Sequence, residues 1–187
     1  MLLRFLVRLS GLEKEDSQLQ AVRTIARALG TEAKNPKRTS TGALELDVFA
    51  PSKADFDLFL AAVRPLANLD FSKDLNVAPP FKAETELFDE AWGYFNDERY
   101  WECHEVLEGI WKTKTGEEKI LLQGIILVCA AFVHHQKDEP EVALGVMRRA
   151  IRQLGYGSEI YHGVSVPTLN ARCAEILATG KWLNFKV

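Results

Sequence analysis

Hydrophobic and polar positions in the first part of the chain follow the periods of strands and helices in turn. In residues 3–9 every second position is apolar and the arginines fall on the other face, which predicts a strand with one buried side. Residues 16–29 carry apolar side chains three and four positions apart, which predicts an amphipathic helix. Alternation returns in residues 44–48, a second helix opens near residue 52, and residues 69–75 predict a last strand.

The order of these elements is strand, helix, strand, strand, helix, strand. It predicts an α+β domain of ferredoxin-like (βαββαβ) topology over residues 1–77. In that topology the first and third strands are neighbours, so Arg4 and Arg8 lie opposite Glu45 and Asp47. One interpretation of this arrangement is cross-strand charge pairing on a solvated face.

A second interpretation of the same sheet face is an RNA platform, which needs exposed aromatic rings and a basic surround. Phe49 is the aromatic residue placed to serve, and the loop Lys34–Arg38 supplies basic side chains. Acidic residues stand where stacking rings are needed, and the whole chain carries a net charge of −3. These observations argue against nucleic acid as the partner and keep an RNA-associated module only as an alternative function.

Residues 76–81, with the tandem prolines 79 and 80, form the predicted linker, because prolines stop a helix and stiffen a connection. Beyond it the apolar spacing is helical and the connections are short, which predicts an all-α bundle of antiparallel neighbours over residues 82–187. The apolar run 120–133 is shorter than the roughly 20 residues of a membrane span, so it predicts a central buried helix. The predicted helices lie near residues 82–97, 99–112, 117–136, 139–154 and 167–179.

Cysteine use indicates a reducing compartment. Cys103, Cys129 and Cys173 are odd in number, far apart in sequence and without a CxxC pair, which fits neither a disulfide framework nor a zinc knot. With no convincing targeting segment and no membrane span, the pattern predicts a cytoplasmic protein. A homo-oligomer stays open, since either an interface or the completion of the core would explain Trp92, Trp182 and Phe185.

The segment 94–112 carries the densest candidate chemistry of the chain. His104 and Glu108 are four residues apart, so they lie one above the other on a helix, with Trp101 and Trp111 as candidate binding residues on either side. On a helical wheel the pair shares the apolar face, where ionisable groups are costly unless they are partnered. The wheel places on the opposite, solvent side Glu102, Glu105 and Lys112.

Gln123 is the polar side chain within the central apolar helix that falls near the level of this pair. A tight turn between the two helices brings it within reach of His104 or Glu108, which predicts a buried hydrogen-bonded cluster. Asn96 and Tyr100, at the end of the preceding helix, are further binding candidates for the same cluster.

Three roles are open for this cluster on the sequence alone. It is an internal network that fixes helix register, a ligand or catalytic pocket with His104 as acid or base and Glu108 orienting it, or a divalent metal site. The segment HEVLE lacks the second histidine of an HExxH zinc motif, so no cofactor is assigned and a divalent metal is the candidate. We therefore expect a binding or interaction protein of unknown ligand. A metal-assisted or acid–base hydrolase-like enzyme that uses His104 and Glu108 is the alternative.

The segments FNDERYWECHEVLEGIW and LLQGIILVCAAFVHHQ, followed by a helix that opens at Pro140, resemble the domain-of-unknown-function family 309 (DUF309) over about residues 84–155. The resemblance implies a compact all-helical bundle, with helices packed somewhat as in tetratricopeptide repeats. It implies no reaction, because the family is defined without one. The matching positions are Asn96, Tyr100, His104, Glu105, Leu107, Glu108, Trp111 and Gln123.

Overall fold

The computed structural model describes residues 2–12, 16–77, 81–155 and 159–187. The chain divides into two compact units, residues 1–80 and 81–187. The tandem prolines of the predicted linker lie outside the described residues. The predicted α+β class is confirmed, with an antiparallel sheet in the first unit and helices in the second.

Unit 1 is built on a four-stranded sheet in the order β2-β3-β1-β4, and every neighbouring pair is antiparallel. The first and third strands are neighbours, as the sequence predicted, and Arg8 lies directly opposite Glu45. The elements are β1 (Leu3–Ser10), α1 (Asp16–Ala28), β2 (Glu32–Arg38), β3 (Leu44–Ala50), α2 (Lys53–Val63) and β4 (Asn68–Asp74).

One face of this sheet forms the apolar core of unit 1. Phe5 and Val7 of β1 are fully buried there, and the ring of Phe5 stacks on Phe56 of α2 with 3.9 Å between the ring centroids. Ser52 begins α2 by accepting a hydrogen bond from the backbone N–H of Asp55, which supplies a partner that the first helical turn lacks. Each large apolar side chain buried in this way stabilises the unit by roughly 1.5–3 kcal/mol.

The other face of the sheet carries paired charges that are mostly buried, although the Arg4 side chain is 42% exposed. Arg8 donates two hydrogen bonds to Oε1 of Glu45, at 3.0 and 2.7 Å, and Arg4 pairs with Asp47 at 3.0 Å. Lys37 lies 3.5 Å from Glu45, and Glu45 is only 1% exposed. The predicted charge pairing is therefore present, but the expectation that it lies on a solvated face is wrong.

The predicted basic loop Lys34–Arg38 is part of the edge strand β2. The pairing of β2 with β3 is irregular between Lys34 and Lys37, and Asn35 adopts a positive φ of 51° there. An irregular edge strand tolerates a proline, because no partner on its outer side requires the missing N–H. The sequence signal Asn35-Pro36 therefore marked a distortion within a strand and not a loop.

Unit 2 contains, among its described residues, five helices and a two-stranded ribbon. Each predicted helix is present, with its ends within two residues of the prediction. Consecutive helices contact one another from α3 to α7, and the apolar run of α5 lies in the core. None of the described helices combines the length and apolarity that crossing a membrane requires. The elements are α3 (Glu84–Asn96), α4 (Tyr100–Trp111), α5 (Gly116–Gln136), α6 (Pro140–Leu154), β5 (Ile160–Tyr161), β6 (Val164–Ser165) and α7 (Val166–Thr179).

Residues 182–187 return to the core of unit 2 after α7 ends. Trp182 packs edge-on against Phe132 of α5, with 5.1 Å between ring centroids, and Phe185 packs against Phe95 of α3. The indole N–H of Trp92 donates to the backbone carbonyl of His162 at 2.8 Å. Within the described chain, these three aromatic residues complete the core of the unit.

Candidate functional site

The turn between α3 and α4 fixes where the candidate segment begins. Arg99 pairs with Glu102 at 2.8 Å, and its guanidinium lies 4.3 Å from the ring centroid of Tyr94. Glu98 adopts a positive φ of 59°, which lets the chain reverse in a few residues. Glu102 is buried, so its predicted position on the solvent side is wrong. The helical wheel could not register that Arg99, in the turn before the helix, covers it.

His104 lies half-buried on α4, with 21% of its side chain exposed. Its Nδ1 atom is buried and has no hydrogen-bond partner, and the nearest carboxylate oxygen, Oε1 of Glu105, is 3.7 Å away. One ligand atom from each of His104, Glu105 and Glu108 lies within 4.8 Å of the others. The structure thus joins the two predicted residues to a third, Glu105, which the wheel had placed on the far side.

Trp101 does not close a buried pocket. It is 39% exposed, and its ring lies parallel to that of His104 with 5.4 Å between centroids. The expectation that Trp101 faces inward is wrong, because it lies at the edge of the apolar stripe with part of its side chain in solvent. Its contact with His104 nevertheless places an exposed indole beside the candidate ligands.

Trp111 closes the turn between α4 and α5. Its indole N–H donates to the backbone carbonyl of Lys119 at 3.2 Å, and the ammonium of Lys119 lies 4.2 Å from the ring centroid. Such a cation–π contact is worth roughly 0.5–1 kcal/mol at a partly exposed site. Trp111 therefore stabilises the turn between α4 and α5, and this role accounts for its place in the motif.

Gln123 lies half-buried on α5. In the described part of the chain it makes no hydrogen bond to His104 or Glu108, so the predicted buried hydrogen-bonded cluster is not formed. The candidate chemistry therefore stays on α4. A role for Gln123 in holding a ligand remains a prediction.

Asn96 and Tyr100 hold the returning segment 182–187 instead of joining His104. The side-chain amide of Asn96 donates to the carbonyl of Val187 at 3.2 Å and accepts from its backbone N–H at 2.9 Å. The hydroxyl of Tyr100 donates to Oδ1 of Asn184 at 3.4 Å, and burial raises the pKa of this phenol well above its usual range. Contacts with the segment 182–187 therefore account for these two residues of the motif.

Cys103 points away from His104 into the core, as expected for consecutive helical residues. Its Sγ lies 3.4 Å from the Sγ of Cys129 on α5, and both residues are fully buried. A Cys–His pair for nucleophilic catalysis is therefore absent at this position. Both cysteines are small residues of the core.

The histidine and the two carboxylates form a mixed nitrogen and oxygen donor set. One imidazole nitrogen and carboxylate oxygens are ligands that Zn²⁺, Mn²⁺ and Fe²⁺ accept in proteins. Glu105 has 53% of its side chain exposed, so further coordination positions face solvent. The three residues can supply part of a coordination shell, with water or a bound anion completing it.

The sheet face of unit 1 is poorly suited to stacking bases. Phe49, the aromatic residue predicted to serve, lies under Arg4 and Lys34, whose cationic groups are 5.8 and 5.3 Å from its ring centroid. Carboxylates occupy the neighbouring positions and are paired with arginines. The RNA-associated module stays a prediction with no favourable geometry among these residues.

Comparisons with known proteins find relatives whose own functions are undefined. The family described as "Domain of unknown function (DUF309)" matches residues 88–146. An uncharacterized protein of Aquifex aeolicus (strain VF5) is 26% identical over 97 residues, and the match spans 51% of this chain and 29% of that relative. A conserved hypothetical protein from Thermus thermophilus, known as a crystal structure, is 34% identical with a TM-score of 0.44. That match covers 49% of this chain and 96% of the other.

Proposed function

Since this chain belongs to the family described as "Domain of unknown function (DUF309)", which defines no reaction, we propose that it is a binding protein whose helix α4 holds a divalent metal ion. The ligands are His104, Glu105 and Glu108. The observation that carries the proposal is the approach of one ligand atom from each residue to within 4.8 Å of the others. Two ligands separated by about 90–110° around an ion at about 2.1 Å are roughly 3–3.5 Å apart, so modest side-chain rotation completes the set.

Two features of His104 support this role. Its Nδ1 is buried without a hydrogen-bond partner, and such a group is usually satisfied by a partner, a water or an ion. The ring of Trp101 stacks on the imidazole with 5.4 Å between ring centroids, and this contact favours the orientation that the imidazole has. A ligand whose ring is already oriented loses less side-chain entropy when it binds.

The test measures metal binding by protein purified without a histidine tag. Metal-free protein is dialysed against Zn²⁺, Mn²⁺ or Co²⁺, and bound metal is counted by mass spectrometry. We expect one ion per chain, and for Co²⁺ an absorption band that reports nitrogen and oxygen ligation. His104→Ala, Glu105→Gln and Glu108→Gln each remove a ligand. They should weaken binding by more than the roughly 10–100-fold that follows loss of an outer-shell partner.

Matched controls use groups of the same chemistry on another helix. His134→Ala removes an imidazole that also neighbours a carboxylate, that of Glu139, and Glu117→Gln removes an exposed carboxylate at the start of α5. Both controls should bind metal like the natural sequence. Binding that is absent, or that survives in His104→Ala as fully as in His134→Ala, would contradict the proposal.

A metal-assisted hydrolase-like enzyme is the second candidate function. The exposed position of Glu105 and Trp101 favours it, because catalytic metal sites keep an open coordination position for water or substrate. Hydrolysis of small ester and phosphoester substrates should then need the added ion and be lost in His104→Ala. Full metal binding without any hydrolysis leaves the binding role.

The proposal extends to fold and compartment. For unit 1 we propose the ferredoxin-like topology, supported by the strand order β2-β3-β1-β4. For unit 2 we propose tetratricopeptide-like packing, supported by contacts between each helix and the next. Three free cysteines support a reducing, cytoplasmic location. Interproton distances measured by NMR would test both folds, and a parallel pairing of β1 with β3 would exclude the first.

A further inference from the structure

Two thiols from different helices meet in the core of unit 2. Cys103 of α4 and Cys129 of α5 have their sulfur atoms 3.4 Å apart, and the thiol of Cys129 donates to the sulfur of Cys103. Neither residue is exposed to solvent, and neither takes part in the proposed metal site. All three cysteines of the chain are free in the structure. The pair therefore consists of two adjacent nucleophilic groups that have no role in the proposed function.

The two sulfur atoms are already in contact, so a covalent bond between them requires only a short further approach. A disulfide has a sulfur–sulfur length of about 2.05 Å, so the atoms at 3.4 Å must approach by about 1.35 Å. Rotation of the two side chains about their Cα–Cβ bonds moves sulfur atoms by that amount. The short connection between α4 and α5 holds both helices in contact, so the pair stays aligned.

We propose that Cys103 and Cys129 are an oxidation site at which a peroxide-class oxidant forms a disulfide between α4 and α5. One cysteine thiolate attacks a peroxide oxygen, and the O–O bond breaks. The hydroxide that leaves takes up the proton that the thiol had released and becomes water, and the attacked cysteine is now a sulfenic acid. The second thiolate attacks that sulfur, the S–O bond breaks, and the departing hydroxide takes up a proton. Two thiols and one hydrogen peroxide give one disulfide and two waters, with two electrons passed to the oxidant.

Burial makes this oxidation slow and selective. A peroxide reaches the sulfur atoms only when α4 and α5 part, so the rate follows the opening of that helix pair. The site therefore responds to sustained oxidation, and the resulting disulfide ties α5 to the helix that carries His104.

Cys173 of α7 is the natural comparison within the chain. It is also fully buried, and burial raises its pKa to about 12. In an unfolded chain, loop-closure entropy favours the Cys103–Cys129 loop only about twofold over the longer Cys129–Cys173 loop. A folded protein that forms the first pair in large excess over this ratio therefore reports native geometry and not chain statistics.

The experiment oxidises the folded full chain with hydrogen peroxide and maps the linkage. Remaining thiols are alkylated in denaturant, and the protein is cut with trypsin. The sequence places the three cysteines on separate tryptic peptides, residues 100–112, 120–137 and 173–181. We expect the first two peptides to appear linked, about 2 Da lighter than their sum, and Cys173 to be alkylated. The amount of linked peptide should increase with the time of oxidation, while the helical circular dichroism signal stays constant.

Variants and the unfolded chain make the result decisive. Cys173→Ala should oxidise like the natural sequence, and Cys129→Ala should give no linked peptide. Urea-unfolded protein oxidised in parallel should give all three linkages. The proposal is overturned if the folded protein stays fully reduced while the unfolded chain oxidises, or if Cys173 appears in the predominant linkage. It is also overturned if Cys103 and Cys129 advance to sulfinic acids without pairing.

Discussion

Asn96 holds the backbone of Val187, 91 positions further along the chain, through two hydrogen bonds that use both ends of its side-chain amide. The amide nitrogen donates to the carbonyl of Val187, and the amide oxygen accepts from its N–H. An ionised aspartate at this position could accept from the N–H but could not donate to the carbonyl. Asn96, which the sequence predicts as part of a polar cluster, instead joins α3 to residues 182–187 through these two hydrogen bonds.

The first prediction concerns these two hydrogen bonds. Asn96→Ala removes two hydrogen bonds at a half-buried position and should lower the free energy of unfolding by about 1–3 kcal/mol, measured by urea denaturation. Asn96→Asp keeps the acceptor and loses the donor, so its stability should lie between those of the natural sequence and Asn96→Ala. Equal stability of all three proteins would show that the segment 182–187 is held by its aromatic side chains alone.

A second prediction concerns the buried carboxylate of unit 1. Glu45→Gln removes the negative charge beside Arg8 and Lys37 and leaves two cations in a buried setting, which should cost about 3–5 kcal/mol of stability. The matched change Glu32→Gln breaks an exposed ion pair with Lys34 and should cost about 1 kcal/mol or less. Thermal unfolding of both variants checks the difference, and similar losses would contradict it.

The third prediction uses two glycines that lie within helices. A Cβ atom at Gly124 would meet the backbone nitrogen of Leu154 at 3.0 Å and Cβ of Gln153 at 3.1 Å, so Gly124→Ala should destabilise the protein by about 1–3 kcal/mol. A Cβ at Gly109 meets nothing within 4 Å, so Gly109→Ala should stabilise α4 by roughly 0.5–1 kcal/mol. Opposite shifts in melting temperature are expected. A neutral Gly124→Ala would mean that α6 moves away from α5 without loss.

The fourth prediction is a loss of stability in mild acid. His135 stacks on Trp182 with 4.4 Å between ring centroids, and burial lowers its pKa below the ordinary 6.5, against a smaller opposing effect of Asp138. The unfolded chain therefore takes up a proton near pH 6.5, whereas the folded protein takes it up only at lower pH. The stability that depends on neutral His135 is fully present above about pH 6.5, and it is lost as the pH falls through the folded pKa.

The measurement compares melting temperatures at about pH 7.5, 6.5 and 5.5, on either side of the ordinary histidine pKa. The natural sequence should lose stability over this range, and His135→Gln should lose less of it, because the glutamine takes up no proton. The emission of Trp182 offers a second signal, since protonation of the stacked ring alters its environment. An identical pH dependence in the variant would assign the acid sensitivity to other groups.

The sequence predicts elements well where one period dominates. The helix α5 follows from an apolar run, interrupted by Gln123, whose length suits a buried helix, and the predicted bounds differ from Gly116–Gln136 by one residue. The pairing of Arg8 with Glu45 follows in the same way, because the order of strands makes their positions opposite. These features depend on local pattern and on topology, and both can be derived from the order of residues.

The sequence pattern locates the candidate site on α4, but it does not identify which side chains form the site. A helical wheel treats α4 as an isolated rod, and it therefore turned Trp101 inward and Glu105 outward. Which side is covered depends on the neighbouring helices, and these leave Trp101 39% exposed. Glu102 is buried because Arg99 covers it from the preceding turn. Contacts of that kind involve residues outside the period of the helix, and no pattern within α4 signals them.

The return of residues 182–187 to α3 and α5 also bears on how the helical unit loses its structure. Most contacts of these helices are with the helix before or after them in the chain, and an array held mainly in that way can fray from either end, one helix at a time. The segment 182–187 follows the last helix, α7, and binds the first helix, α3. It therefore links the two ends of the array. Unit 2 should then unfold as one cooperative block, with amide exchange in α3 and α7 slowed to nearly the same degree as in α5.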